Sequence, residues 1–304
     1  MSAVTGDELL AIAVAAAREA GELLVSREGR VLVAATKSSP TDVVTEMDHR
    51  AEDLIRERIL AARPMDAILG EEGGQTGDAV ESGGVRWVID PLDGTVNYLY
   101  GLHDWAVSIA AEAECAEDGA EDGAARGGET GRRIIAGAVF VPMSGELFSA
   151  VRGDGAWLTR IRRGDRPGQA DGQAAADPRV PLRCRPDVPL DQALVATGFG
   201  YLAARRKVQG EVLAALLPRV RDIRRGGSAS VDLCSVAAGR LDAYYERGLN
   251  YWDYAAGALI AAEAGAAVGD SRGGPPSTSM TVAAGPGLFG PLTGALASLD
   301  AERD

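Results

Sequence analysis

Aromatic side chains are scarce. Four Phe, four Trp and seven Tyr amount to 5% of 304 residues. The 46% apolar share must therefore fill a core mostly with Ala, Val, Leu and Ile. Cysteine is rarer still. Cys115, Cys184 and Cys234 form no Cys-x-x-Cys pair and stand far apart. That spacing argues against a zinc site and a disulfide framework and reads as a reduced, cytoplasmic setting. His49 and His103 are the only histidines, which excludes a metal centre rich in imidazole. No apolar run is long enough to span a bilayer. The start, with Thr5, Gly6 and Asp7 before an Ala-rich amphipathic stretch, lacks the basic segment and apolar block of a signal peptide. Positive charge is also short. Thirty-one Lys and Arg against 44 Asp and Glu leave a formal charge of −13, which speaks against a broad nucleic-acid surface. Such a chain repels a phosphorylated substrate unless bound divalent cations reverse the sign locally.

The length suits one large domain or two fused halves, here residues 1–181 and 182–304 acting as one compact unit. Helical spacing of apolar residues predicts helices over 7–27, 47–62, 209–219, 228–238, 252–264 and 291–299. In the second of these, Ala51, Leu54, Ile55, Ile59 and Leu60 are expected inward. Short apolar runs predict strands over 43–45, 67–69, 85–89, 105–113, 134–141, 193–197, 242–246 and 282–284. Strands and helices mix without a steady alternation, which suggests stacked α and β layers in place of a plain parallel sheet. Two stretches rich in Gly and charge, about 114–133 and 160–178, read as mobile inserts whose deletion should spare the core.

The chemistry concentrates in Trp87-Val88-Ile89-Asp90-Pro91-Leu92-Asp93-Gly94-Thr95. An apolar strand ends at Asp90, where open sheets place ligands. Pro91 gives no ladder hydrogen bond, so the strand is expected to stop there and free the Leu92 carbonyl. Asp93 is a second carboxylate, and Gly94 permits close backbone approach. Beyond it, the N–H groups of Gly94 and Thr95 can face an anion if a helix begins. Carboxylates suit a hard cation and N–H donors suit a phosphate. The same residues also suit an ordinary β-turn with an aspartate cap. Glu71 and Glu72, between Gly70 and Gly73, close a second buried strand, although paired acids are commonly solvated. Asp253 reads as a helix N-cap able to reach a cation. Asp42 and Asp48 flank Val43-Val44-Thr45 as caps or supporting acids. Lys37 reads as a solvated lysine, and His103, in a loop, as structural or substrate-proximal. Cys234 and Ser235 lie in an apolar helix with no histidine in an obvious base role, which gives little support to a nucleophilic mechanism.

Together these segments resemble the inositol monophosphatase family of magnesium-dependent, lithium-sensitive phosphatases. The resemblance rests on Asp42-Val43-Val44-Thr45-Glu46-Met47-Asp48, Gly70-Glu71-Glu72, the stretch from Trp87 to Asn97, and Trp252-Asp253-Tyr254-Ala255-Ala256-Gly257. Lys37-Ser38-Ser39-Pro40 and Asp242-Ala243-Tyr244-Tyr245-Glu246 match as well, and the likeness runs from about residue 8 to 285. It implies a mixed α/β fold, a five-layered αβαβα sandwich, and usually a homodimer. It implies two to three Mg²⁺ ions held by Glu71, Asp90, the Leu92 carbonyl, Asp93 and Asp253. It assigns Thr95 with Asp48 to orient a metal-activated water and Glu71 to help deprotonate it. Gly94 and Thr95 would hold the phosphate. Asp93, Gly227, Ser228, Ala229 and Glu246 would contact the alcohol half of a small phosphorylated polyol. The implied reaction is hydrolysis of myo-inositol monophosphate. The alternatives are histidinol phosphate, fructose 1,6-bisphosphate or adenosine 3′,5′-bisphosphate as substrate, or a second role with RNA-processing protein partners.

Overall fold

The computed structural model describes residues 4–26, 33–36, 43–77, 84–114, 132–161 and 178–303. Lys37, Ser38, Ser39, Pro40 and Asp42, and nearly all of both expected inserts, lie outside the described residues. Helix α1 (Gly6–Val25) opens with a reciprocal cap in which the Glu8 N–H donates to Thr5 Oγ1 and the Thr5 N–H donates to Glu8. Strands β1 (Val33–Thr36) and β2 (Val43–Thr45) pair antiparallel, and α2 (Glu46–Ala62) follows with the same kind of cap from Thr45 and Asp48. Two donors at each helix start are thus satisfied locally.

The larger sheet holds β3 (Ala67–Gly70), β4 (Gly74–Thr76), β5 (Arg86–Asp93), β6 (Ala106–Glu114), β7 (Arg132–Val141), β8 (Glu146–Val151), β9 (Gly155–Arg160) and β10 (Val180–Pro181). Their order is β10-β9-β8-β7-β6-β5-β3-β4, and only β3 and β5 run parallel. Helix α3 (Thr95–Tyr100) continues directly from β5. In the second half, β11 (Leu194–Thr197), α4 (Ala203–Leu216), β12 (Asp222–Arg224), α5 (Ala229–Ala237), β13 (Ala243–Glu246), α6 (Tyr251–Glu263), β14 (Ala267–Gly269), β15 (Thr281–Ala284) and α7 (Pro286–Ser298) follow in turn. Their sheet runs β12-β11-β13-β15-β14, with β12, β11 and β13 parallel.

Period-2 alternation divides the buried residues of β5 between two cores. Trp87 and Ile89 face α1 and α2, packing with Ala16, Ala20, Ile55 and Ile59. Val88 faces the other way, against Cys234, Ala256 and Leu259 of α5 and α6. The opposite side of that helix pair, including Leu233, Val236 and Ala261, packs on Ala196, Tyr244 and Ala283 of the second sheet. The outer face of that sheet is covered by Val212 and Leu216 of α4 and by Leu288, Leu292 and Leu296 of α7. The shortage of aromatics suits this arrangement. A Cβ on Gly137 of β7 would lie 3.2 Å from the Ala256 Cα, so α6 lies close on the sheet through small residues.

Several expectations need correction. Strand β5 does not stop at Pro91 but runs to Asp93. Its pairing with β6 breaks after Asp90↔Ser108 and resumes at Asp93↔Ala106. Pro91 therefore sits in a bulge, where no ladder bond is asked of it. Strands β8 and β9 were not expected, and Glu114, Arg132, Arg133 and Arg160 belong to strands, not inserts. Leu60 is exposed, and Glu52, not expected inward, is buried on the same helix. Helix α4 begins at Ala203 and ends at Leu216. Helix α7 begins at Pro286 and carries Pro291 inside.

Candidate active site

Because β3 and β5 run parallel with Gly70 opposite Ile89, Glu71 and Asp90 follow these two residues side by side. Asp90 is 1% exposed and accepts the Leu92 N–H at 3.0 Å. Burial, then the charges of Glu71, Asp93 and Asp253, push its carboxyl well above the usual range. Asp93 is clasped by the start of α5. It accepts the Ser228 hydroxyl at 2.7 Å, the Ser230 hydroxyl at 2.6 Å and the Ser230 N–H at 2.7 Å, all on Oδ2. Among the described residues, the Ala229 N–H alone reaches Oδ1, at 3.3 Å. Burial raises the Asp93 pKa against the pull of these donors.

Asp253 is not the N-cap of α6. That position is Asn250, whose N–H donates to Asp253 Oδ2 at 2.7 Å. Asp253 is the third helical residue, and burial followed by repulsion from Glu71 and Asp93 raises its carboxyl strongly. The helix start is tied to the larger sheet where the Tyr251 hydroxyl donates to Glu112 at 2.6 Å.

Glu71, Asp90, Leu92, Asp93, Gly94, Thr95 and Asp253 line one cavity of about 380 Å³. Gly94 takes a φ of +97° as the N-cap of α3, a conformation glycine adopts without penalty. Behind Thr95 stands Asp48, 1% exposed. The Thr95 hydroxyl lies 3.0 Å from Asp48 Oδ1 and 3.1 Å from the Leu92 carbonyl oxygen, both acceptors. Burial raises the Asp48 pKa while its bonds to Thr45 and Thr95 oppose that.

The far side of the cavity is built at the ends of β11 and β13, where Thr197 pairs with Tyr245. Glu246 lies there and accepts the Tyr244 hydroxyl at 2.7 Å. Burial pushes its carboxyl up to about 7. Gly198 makes the room, since a Cβ on it would lie 1.8 Å from Glu246 Oε2. Gly227 and Ala229 line the wall, whereas Ser228 turns its hydroxyl to Asp93.

From sequence, Ser230 and the cavity-lining Gly198, Arg205 and Arg225 have no site role, and Tyr244 enters only within the segment that ends at Glu246. Ser230, two residues after Ser228 at a helix start, carried the clearest signal. Cys234 is fully buried and its thiol is pushed up by burial, which removes it as a nucleophile.

The donor set suits a hard cation, being carboxylate and carbonyl oxygen throughout. Mutually repelling acids, Asp90 and Asp93 buried and Glu71 and Asp253 half-buried, also call for a counter-charge. As the side chains lie, no three or more His, Cys, Asp or Glu among the described residues form a ready cage for an ion.

The sequence profile described as "Inositol monophosphatase family" matches residues 6–115 and 129–300. An inositol-1-monophosphatase of Mycobacterium bovis is 47% identical over 264 residues, covering 86% of this chain and 80% of that protein. The Nus factor SuhB of Escherichia coli is 37% identical over 268 residues, covering 88% and 86%. Among solved structures, Mycobacterium tuberculosis SuhB superposes with a TM-score of 0.72 at 40% identity, covering 98% of this chain and 99% of that one. With motifs, fold and cavity in agreement over nearly the full described length, the chain belongs to the inositol monophosphatase family.

Proposed function

We propose that this chain hydrolyses myo-inositol monophosphate to myo-inositol and phosphate, using Mg²⁺. The observation that carries this reading is the convergence of Glu71, Asp90, Asp93 and Asp253 on one cavity, with Thr95 in its wall and Asp48 bonded behind it. Glu71, Asp90, the Leu92 carbonyl, Asp93 and Asp253 are the residues to hold two to three ions. Ions held there would supply a lowered pKa for a bound water and a counter-charge for the phosphoryl group. Asp93 keeps Oδ1 nearly free for this, because α5 occupies Oδ2. Thr95 donates its proton towards Asp48, which leaves its lone pairs to accept from the attacking water and aim it at phosphorus. Glu71 takes up the water's proton. The N–H groups of Gly94 and Thr95 receive phosphoryl oxygens. Glu246, with Asp93 and the wall at Gly227, Ser228 and Ala229, receives the polyol hydroxyls.

The packing supports a five-layered αβαβα sandwich: α1 and α2, the larger sheet, α5 and α6, the smaller sheet, then α4 and α7. Halves 1–181 and 182–304 act in it as one catalytic unit, since Asp93 of the first is held by α5 of the second. A cytoplasmic homodimer inhibited by Li⁺ completes the proposal.

Phosphate release should require Mg²⁺ and fall at least about 100-fold in Asp93→Asn, the range set by losing an oriented charged group at the reacting centre. Full activity in EDTA would sink the assignment. A panel of histidinol phosphate, fructose 1,6-bisphosphate and adenosine 3′,5′-bisphosphate, ranked by kcat/KM with and without Li⁺, tests the substrate. The likeness to a Nus factor supports a second role through RNA-processing protein partners, without direct RNA binding at a net charge of −13. A pull-down without RNA-polymerase or ribosomal proteins removes it.

A further inference from the structure

Glu52 and Arg56 have no part in the chemistry above, yet Glu52 is 2% exposed. Spaced four apart on α2, they have the form of an ordinary surface ion pair. Their contacts say otherwise. The two Glu52 oxygens accept the backbone N–H of Glu72 at 2.8 Å and of Gly73 at 2.7 Å. Arg56 donates to Glu52 at 2.8 Å, to the Gly74 carbonyl at 2.7 Å and to the Thr76 hydroxyl at 2.7 Å. The pair therefore holds the turn between β3 and β4 by its N–H groups and by the carbonyl and hydroxyl that follow. Gly70 and Gly73 are shaped to it: a Cβ on Gly70 would lie 2.6 Å from Glu52 Oε1, and one on Gly73 would lie 2.7 Å from the same atom. The glycines flanking Glu71-Glu72 thus make room for a buried ion pair.

We infer that Glu52, braced by Arg56, is a positioning residue that sets the direction of Glu71 and so the affinity of the site for Mg²⁺. The inference rests on the reading of Glu71 as a cation ligand. Turn residues left without these bonds would open and close, and Glu71 would face the cavity for only part of the time. Affinity falls in proportion to that fraction.

Glu52→Gln keeps one acceptor oxygen and sets an amide against the other N–H, so one of the two turn bonds is lost. Expected are a tenfold or greater rise in the Mg²⁺ dissociation constant by calorimetry and faster exchange of the Glu72 and Gly73 amides in the cation-free protein. KM for myo-inositol 1-phosphate at saturating Mg²⁺ should stay within about twofold. In a Glu71→Gln background the Glu52 change should add nothing to Mg²⁺ affinity, because its effect passes through Glu71. A role confined to overall stability predicts the same increment in both backgrounds, and that result overturns the inference, as does wild-type Mg²⁺ affinity in Glu52→Gln. Gly73→Ala, which pushes Glu52 off the turn from the other side, should repeat the pattern and serves if Glu52→Gln does not fold. Calorimetry needs no substrate. Glu52-dependent Mg²⁺ binding by a protein that releases no phosphate refutes the function and leaves this inference standing.

Discussion

Without divalent cations, this protein should lose stability as pH rises from about 4.5 to about 7. Burial moves Glu246 from its ordinary 4.5 up to about 7. Over that window the folded protein keeps a proton that the unfolded chain has released. The free energy of unfolding therefore falls with rising pH, by about 1.4 kcal/mol per unit for each such group. For Glu246 the loss amounts to about 3 kcal/mol, complete once the folded carboxyl also ionises. Asp232, raised to about 8 by burial and then by Glu246 and Asp93, deepens the decline. Glu146 acts with the opposite sign but in a different range. Arg240 holds its pKa down, so its stabilisation is present above about 4.5 and lost only as pH falls below that. Against a total of roughly 5–15 kcal/mol, the Glu246 loss alone is visible. Mg²⁺ should offset more of the decline as pH rises, because its carboxylate ligands must be ionised to bind. Urea unfolding at about pH 5, 6, 7 and 8, in EDTA and in Mg²⁺, measures both effects. Cation-free stability that is flat or rising over this range, with a Mg²⁺ increment independent of pH, would refute the electrostatic account.

Gly198→Ala places a Cβ 1.8 Å from Glu246 Oε2 and must move that carboxylate off Tyr244. KM for myo-inositol 1-phosphate should rise about tenfold, in line with a lost hydrogen bond to a charged group, while Mg²⁺ affinity by calorimetry stays put. An unchanged KM counts against Glu246 as the polyol acceptor. Thr95→Val keeps the side chain's shape and deletes the hydroxyl facing Asp48. It should lower kcat by roughly 10²–10⁴ with Mg²⁺ binding retained, and a kcat near wild type would remove the pair from the chemistry.

What could be read from the sequence depended on how local the signal was. Helices α1 and α2 carry their own apolar periodicity and their own caps, so both were legible. So were β6 and β7, as long apolar runs. The acids Glu71, Asp90, Asp93 and Asp253 could be singled out because each stands where an apolar element begins or ends. Other features are set by distant partners. Whether Glu52 is a solvated helix residue or a buried clamp is decided by a turn some twenty positions away. Pro91 ends a strand by local rules, yet pairing between Asp93 and Ala106 carries β5 past it. Strands β8 and β9, joined through a Gly-rich turn at Arg152 to Gly155, gain their identity from pairing with each other and, for β8, with β7. Ser230 is an unremarked helical serine until Asp93 arrives from the other half of the chain.

The break in pairing between Asp90 and Asp93 has a consequence in parity. Residues an odd number apart on an unbroken strand point to opposite faces. Here β5 advances three residues while β6 advances two, from Ser108 to Ala106, so the extra residue turns odd spacing into even. Both carboxylates emerge on one side, and the backbone between them leaves the ladder. Shortening the segment by one residue would keep the acids on the same face but return the carbonyl of residue 92 to strand pairing. Leu92 is 1% exposed and its side chain packs in the core, while its carbonyl oxygen accepts the hydroxyl of the cavity-lining Thr95. The number of residues between the two acids is thus a functional quantity in its own right, and a deletion there should harm the site more than a conservative exchange of the leucine.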